Sequence, residues 1–266
     1  MKETLENPSN PIKLDAVRFF GLDVHLPVFL FTSGLTILFS SLVLIFPEAS
    51  TQFLSDSRNF VVSRFDTLFT VSMSAFVFII LFLIISPFGK IRLGGEGSKP
   101  EFGFFSWVCM LFAAGVGIGM TFYGAAEPLS YYTGVFGTPL GVTPGTEEAY
   151  RLAFSATIFH WGISGWSVYA IIGLSLAFFS YNWNLPLTIR SIFYPLLGDK
   201  IWSWQGDVID IIAVLATLFG LATSLGLGAQ QAASGLLYLF DLPNNILSQT
   251  LIIIFITAVA IFSVFR

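Results

Sequence analysis

The sequence predicts an all-α membrane protein that crosses the bilayer several times. Hydrophobic residues make up 55% of its 266 residues and charged residues only 11%, whereas soluble domains average about 25% charged residues. Several apolar runs approach the length of about 20 residues that spans roughly 30 Å of hydrocarbon. Because lipid offers no partners to backbone N–H and C=O groups, each run is predicted to be a helix, which satisfies these groups internally.

Six apolar runs divide the chain into predicted spans. The polar and apolar mixture between the first two, Glu48 to Arg64, is expected to be an outer loop along the membrane interface. No soluble domain longer than a loop is apparent. The predicted spans are Val24–Phe46, Phe65–Ser86, Phe104–Ala126, Phe154–Phe179, Ile209–Phe240 and Ile246–Phe265.

The distribution of basic residues predicts the orientation, because cytoplasmic loops carry an excess of Lys and Arg. A cytoplasmic N-terminus places nine of the 12 Lys and Arg residues inside and three outside. The sequence therefore predicts a multi-pass protein of the inner (plasma) membrane with a cytoplasmic N-terminus. The inside residues are Lys2, Lys13, Arg18, Lys90, Arg92, Lys99, Arg190, Lys200 and Arg266, and the outside residues are Arg58, Arg64 and Arg151.

The third predicted span contains glycines at alternate positions, Gly115, Gly117 and Gly119. Each glycine costs about 1 kcal/mol of helix propensity relative to alanine, so the cluster weakens the helix locally. Freed carbonyls and amides could then face a ligand, as they do in the discontinuous helices of transporters. Close packing of an intact helix is the alternative. Glu127 follows at the outer end, either as a solvated or capping carboxylate or as a functional one.

The fourth predicted span contains Trp161, Trp166 and Tyr169. On one continuous helix at about 100° per residue, these side chains lie on an arc that could wall a concave pocket. Aromatic faces attract desolvated quaternary ammonium groups. The alternative is an aromatic belt at the membrane interface.

The fifth predicted span has a stripe of small and polar residues on one face, spaced by three or four residues. Such a stripe allows close helix packing, and its hydroxyl groups could alternatively ligate a hard cation. The stripe consists of Ala213, Thr217, Gly220, Ser224, Gly228 and Gln231.

Several functional classes are disfavoured by the sequence. No nucleophile–base–acid set, phosphate-binding glycine loop or cluster of metal ligands is present, so an enzyme is not expected and no organic cofactor is predicted. The net charge of −4 and the absence of a basic run give no support to nucleic-acid binding. The single Cys109 can form neither an intramolecular disulfide nor a multi-cysteine metal site.

Three stretches, each uncommon alone, occur in a fixed order: Gly115–Gly119 followed by Glu127-Pro128, then Phe159–Tyr169, then Asp210–Gly228. On these residues the chain resembles the betaine/choline/carnitine transporter family, and the resemblance runs from about Leu22 to the end. It implies a LeuT-like inverted-repeat fold in which two extra N-terminal helices precede two five-helix repeats. The implied organisation is a cytoplasmic segment (1–23), two N-terminal transmembrane helices with loops (24–103) and an incomplete first repeat (104–266). The second repeat is expected to be absent from this chain.

The resemblance also implies a site for a trimethylammonium group. Trp161, Trp166 and Tyr169 match the part of the family's aromatic box that lies on this helix, and Gly115, Gly117 and Gly119 form the adjacent substrate-binding segment. A further tryptophan comes from the second repeat.

A sodium site is implied beside the unwound segment, with backbone carbonyls of Ala113 and Val116 as ligands. Thr217 matches one of two threonines of a second sodium site, and Leu221 replaces the other, which puts that second site in doubt. Gly119 stands where proton-coupled choline members tend to have Asp, which favours sodium and betaine-like substrates.

The resulting hypothesis is a symporter that imports glycine betaine or a related quaternary-ammonium osmolyte by alternating access, with sodium as the expected coupling ion. The alternatives are a proton-coupled choline or carnitine transporter, a truncated non-transporting fragment, and a membrane sensor of osmotic stress. The resemblance further implies a homotrimer. The chain stops at Arg266 at the foot of a predicted span, so a missing downstream half is expected.

Overall fold

The computed structural model describes residues 17–19, 22–115, 117–135 and 137–264. These residues are predominantly helical, which confirms the predicted all-α polytopic class. A short antiparallel pair of strands, β1 (Val17–Phe19) and β2 (Leu22–Val24), precedes the first helix. The helices are α1 (Leu26–Ile45), α2 (Pro47–Ile85), α3 (Phe104–Gly115), α4 (Ile118–Thr133), α5 (Glu147–Trp161), α6 (Ile163–Ala177), α7 (Ile189–Ile192), α8 (Tyr194–Leu197), α9 (Trp204–Phe240) and α10 (Ile246–Val264).

Helix α2 is longer than the sequence predicted. Its 39 residues run from Pro47 to Ile85 without interruption, so the expectation that Glu48 to Arg64 forms a loop along the interface is wrong. Pro47 occupies the first turn of α2, where backbone N–H groups have no intrahelical acceptor. The lack of an N–H in proline therefore removes no hydrogen bond there. At 1.5 Å per residue the helix is about 58 Å long, which exceeds the hydrocarbon thickness of about 30 Å.

Four helical segments of the described residues are long and apolar enough to cross a membrane, which confirms a multi-pass protein. They are α1, α2, the segment Glu147–Asn182 and α9. The third and sixth predicted spans hold shorter apolar helices, Phe104–Ala113 and Ile246–Phe262. The third is short because its run is divided between α3 and α4.

Contacts divide the chain into two compact units. The described residues of the first unit fall within Met1–Pro100 and His160–Leu215, and those of the second within Glu101–Phe159 and Ala216–Arg266. In the first unit, α2 packs along α6. In the second unit, α4 ends at Gly134, whose φ of 81° is in the left-handed region that favours glycine.

Polar contacts join segments of the first unit that are distant in sequence. Asn182 follows α6 in a π-helical turn and donates a hydrogen bond from Nδ2 to the carbonyl of Arg92, 3.0 Å away. Its Oδ1 accepts from the backbone N–H of Gly94, also at 3.0 Å. His25, just before α1, lies 2.8 Å from Asp207 near the start of α9. The starts of the first and fifth predicted spans therefore meet within the first unit.

Candidate substrate and ion site

The glycine-rich run is interrupted, as the sequence predicted. Helix α3 ends at Gly115 and α4 begins at Ile118. Gly117 between them is extended, with φ −73° and ψ −177°. Its carbonyl accepts hydrogen bonds from the N–H of Thr121 at 3.3 Å and from the Thr121 hydroxyl at 3.0 Å. The break therefore leaves a helix end and a helix start a few residues apart.

The break exposes backbone groups that could bind ligands. Ala113 lies in the last turn of α3, where carbonyls lack the intrahelical donor four residues on. The first amides of α4, beginning at Ile118, similarly lack intrahelical acceptors. Val116, the second predicted carbonyl ligand of sodium, lies outside the described residues. Gly119 is half-buried in the first turn of α4.

Close packing does not account for the glycine at position 117. Among the described residues, a Cβ built on Gly117 would meet no heavy atom within 4 Å. Its φ is also one that any residue can adopt. The remaining role of glycine here is to lower the helix propensity of the segment, which costs about 1 kcal/mol relative to alanine.

A second helix break occurs in the fourth predicted span, where sequence reasoning expected a continuous helix. Helix α5 ends at Trp161, Gly162 has φ −85° and ψ −145°, and α6 begins at Ile163. The pair of glycines at 162 and 165 was the available signal for this break. The helical arc that included Trp161 was therefore wrong, because the 100° spacing holds only within one unbroken helix.

The break is bridged by an indole. Trp166 donates from Nε1 to the carbonyl of Trp161, with 2.9 Å between the nitrogen and the oxygen. The acceptor belongs to the last residue of α5, where helical carbonyls need partners from elsewhere. This hydrogen bond ties the orientation of the Trp166 ring to the end of the preceding helix.

Two of the three predicted box residues have adjacent rings. The centroids of Trp166 and Tyr169 are 5.3 Å apart, and their planes are inclined by 40°. Trp161 and Trp166 are half-buried, whereas Tyr169 is 71% exposed. Such rings attract a cation placed within about 6 Å of their centroids. The aromatic residues belong to the first unit, while Ala113, Gly115, Gly117, Gly119 and Thr217 belong to the second.

Thr217 lies on α9, which is continuous through 37 residues. The continuity confirms that the stripe beginning at Ala213 shares one helical face, because its steps of three and four match the helical period. Thr217, Gly220 and Ser224 are exposed.

Glu127 is buried, with only 3% of its surface exposed. The interpretation of this residue as a solvated carboxylate is therefore wrong. Tyr131 lies one turn later on α4 and interacts electrostatically with this carboxylate. Burying a carboxylate is costly unless it is paired or hydrogen-bonded.

A buried ionic cluster around Arg190 was not found from the sequence. Arg190 is 0% exposed, and its side chain contacts Asp210 and Asp207 on α9 at 2.6 and 2.8 Å. Sequence analysis counted Arg190 only as a cytoplasmic loop charge. The spacing of the two aspartates, three residues apart on one helix face, was the signal that could have revealed a shared partner.

The described residues thus form a multi-pass helical membrane protein with two interrupted spans, and one of the interruptions, at Gly162, is followed by the neighbouring rings of Trp166 and Tyr169. Residues 27–266 match the BCCT family, the betaine/carnitine/choline family transporters. The chain belongs to this family. A LeuT-like fold is consistent with it, and the prediction of a transporter family rather than an enzyme is confirmed.

Three relatives illustrate the match. Glycine betaine transporter 1 of Vibrio parahaemolyticus is 48% identical over 266 residues, which cover 100% of this chain and 51% of the relative. A glycine betaine transporter of Bacillus subtilis is 45% identical over 82% of the chain and 42% of its own length. The high-affinity choline transport protein of Escherichia coli K12 is 40% identical over 90% of the chain and 35% of its own length. The chain thus spans about half the length of its most similar relatives here.

Proposed function

We propose that the chain is the N-terminal half of a symporter that imports glycine betaine or a related quaternary-ammonium osmolyte by alternating access. The observation that carries this proposal is the pairing of Trp166 and Tyr169 at 5.3 Å beside a helix break. Similarity to glycine betaine transporters at 45–48% identity supports the same substrate class.

The chemistry of the ring pair suits a trimethylammonium group. Such a cation has no N–H to donate, so aromatic faces recognise it through their quadrupoles rather than through hydrogen bonds. The indole of Trp166 is fixed at one end by the carbonyl of Trp161, which reduces the freedom that the ring would lose on binding. Tyr169 is exposed, so its ring face is accessible to a cation.

Sodium is the proposed coupling ion. Hard cations prefer oxygen ligands, and unwound transporter helices offer backbone carbonyls to Na⁺. The candidates are the carbonyls of Ala113 and Val116 and the hydroxyl of Thr217. Thr217 would be the only threonine of a second sodium site, because Leu221 occupies the position where the family pattern has another threonine.

Proton-coupled transport of choline or carnitine is the second candidate function. It is favoured by the 40% identity to a choline transport protein, and it is weakened by Gly119, which carries no titratable group. We also propose an inner-membrane location, a cytoplasmic N-terminus and a homotrimeric assembly of the whole protein. The resemblance to the family supports the trimer, and the bias of basic residues supports the orientation.

The test uses the complete protein, extended beyond Arg266, in proteoliposomes. Uptake of radiolabelled glycine betaine and choline is measured with an inward sodium gradient, and then with potassium in place of sodium at fixed pH. Saturable betaine uptake that requires sodium is expected. Undiminished uptake in potassium contradicts sodium coupling, and absence of uptake for both substrates contradicts the proposed substrate class.

The aromatic assignment is tested separately with Trp166→Leu and, as a matched control, Phe154→Leu. Phe154 is an aromatic residue of α5 that is 45% exposed and lies outside the proposed site. The Trp166 variant should raise the half-saturation concentration for betaine sharply, while the control should leave it close to that of the wild type. Equal uptake by both variants contradicts the aromatic assignment.

A further inference from the structure

The first unit contains a contact that neither the proposed substrate site nor the proposed ion site uses. It begins with Arg190, in the short helix α7, whose side chain is completely buried. The backbone N–H and Nε of Arg190 both donate to the carboxylate of Asp210, at 3.0 and 2.6 Å. Its Nη1 donates to the carbonyl of Ile201 at 3.2 Å, and its Nη2 donates to Asp207 at 2.8 Å. We call Arg190, Asp210 and the Ile201 carbonyl the anchor.

The backbone at Gly206 leaves space for the contacts of the anchor. A Cβ at Gly206 would lie 1.9 Å from the carbonyl oxygen of Ile201 and 3.2 Å from Nη1 of Arg190. Only glycine therefore leaves space for the Ile201 carbonyl to reach the guanidinium. The first turns of α9 are thus held to α7 through a bidentate charged contact that is almost closed to water.

The second part of the cluster is different in character. Asp207 Oδ1, which accepts from Arg190, also lies 2.8 Å from Nε2 of His25. The side chains of His25 and Asp207 are 22% and 20% exposed, compared with 0% and 10% for Arg190 and Asp210. This contact joins residues 182 positions apart in sequence, because it connects the start of α1 to the start of α9.

Opening the two contacts would have unequal consequences. If His25 moves away, Asp207 keeps its bond to Arg190 and can be reached by water, so no buried charge is left without a partner. If Arg190 moves away, Asp210 becomes an uncompensated buried carboxylate, which is strongly unfavourable. Opening the His25–Asp207 contact is therefore less costly than opening the anchor.

We propose that the His25–Asp207 contact is a latch that opens and closes during the transport cycle, while the anchor remains closed. The proposal rests on the proposed function, because it assigns the latch to the movements of alternating access. Helix α9 also carries Thr217, one of the three candidate sodium ligands, so the latch joins the first N-terminal helix to a helix that contributes to the proposed transport machinery. Its release would break this side-chain contact between the start of α1 and the start of α9 and leave the contacts of Arg190 with Asp210 in place.

The test locks the latch covalently in the complete protein, with Cys109 replaced by serine. The double variant His25→Cys/Asp207→Cys is treated with a short, reducible bis-methanethiosulfonate linker. The matched control is Glu147→Cys/Arg151→Cys, which replaces an exposed pair one turn apart on α5 and restrains no movement between helices. Linking the latch should abolish nearly all betaine uptake, reduction should restore it, and linking the control should have no effect.

Two outcomes of this experiment overturn the proposal. If the linked latch variant retains full uptake, the contact stays closed throughout the cycle and is purely structural. If the cysteines at 25 and 207 do not link, the contact does not form in the complete protein.

A measurement that does not require transport separates this proposal from the proposed function. Spin labels on α1 and α9, at Leu30→Cys and Val208→Cys, report the distance between the two helix starts; both positions are exposed. We expect a short and a long population, with the long one enriched by His25→Ala at an unchanged melting temperature. A single population unaffected by His25→Ala overturns the latch, even if betaine is transported. Two populations with no uptake of betaine or choline would contradict the proposed function alone.

Discussion

Replacing Arg190 by alanine should destabilise the protein far more than any exposed charge substitution. The guanidinium is fully buried and makes side-chain contacts at 2.6 and 2.8 Å with Asp210 and Asp207. Breaking a buried ion pair by removing one partner costs about 3–5 kcal/mol, because it leaves an unpaired buried charge. Asp210 is that charge, since its residue is only 8% exposed.

The corresponding shift in melting temperature can be estimated. For a domain of 150–250 residues, 1 kcal/mol lowers the melting temperature by about 2–4 °C, and the shift becomes smaller in longer chains because the entropy of unfolding grows with length. For the complete protein, about twice as long as this chain, the loss of about 3–5 kcal/mol therefore predicts a decrease of roughly 3–10 °C. A second expectation follows for the double variant Arg190→Ala/Asp210→Ala. It should recover part of the loss, because it also removes the orphaned carboxylate.

The assay is thermal unfolding of the complete protein in detergent, followed by size-exclusion chromatography of the soluble fraction. Arg151→Ala is the control, since Arg151 forms an exposed ion pair with Glu147, one turn away on α5. Exposed pairs contribute little to stability, so its melting temperature should match that of the wild type. If Arg190→Ala also melts at the wild-type temperature, or if the double variant melts lower than the single one, the reasoning about the buried charge is refuted.

Three further predictions concern the site. Trp166→Phe keeps an aromatic ring but removes the hydrogen bond to the Trp161 carbonyl, a loss of about 0.5–1.5 kcal/mol that should raise the half-saturation concentration for betaine roughly 2- to 12-fold; an unchanged value in uptake assays would show that this bond does not orient the ring. Trp166→Leu removes the ring as well and should raise the half-saturation concentration further, by up to about thirtyfold if about 2 kcal/mol of cation–π attraction is lost. A smaller effect than that of Trp166→Phe would contradict the assignment of Trp166 to the aromatic box. Gly117→Ala should fold normally, because the Cβ meets no described atom within 4 Å, but should weaken sodium activation of uptake because alanine favours helix over the break by about 1 kcal/mol; unaltered sodium dependence would remove the break from the proposed ion site.

The sequence was informative wherever local composition alone decides structure. The apolar runs predicted helices because a helix satisfies its own backbone in lipid, and the structure has helices in all six runs. The interruption near Gly117 was also predictable, because clustered glycines lower helix propensity irrespective of the surroundings. The continuation of α2 through Glu48 to Arg64 was not predictable in the same way. Mixed polar and apolar residues indicate that a segment contacts both water and lipid, but they do not indicate whether it is a helix or a loop.

The candidate site was predictable in its residues and less so in its geometry. Three stretches in a fixed order, one of them the aromatic segment, indicated the family, and residues 27–266 match it. The predicted arc assumed that Trp161 and Trp166 lie on one helix with about 100° per residue. The break at Gly162 separates them, so this angular spacing does not apply between them. A single glycine does not predict a break, because the helix ends there only if another group, here the Trp166 indole, compensates the lost backbone bonds.

The sequence by itself determined the helical class, the broken third span and the aromatic residues, because hydrophobicity and helix propensity act over a few neighbouring residues. Only the tertiary structure decided that Arg190 is a buried partner of Asp207 and Asp210, and that His25 reaches Asp207 from 182 residues away. Whether a charge is solvated or paired depends on which distant segments meet around it. That arrangement is fixed by the packing of the helices and not by the residues beside the charge.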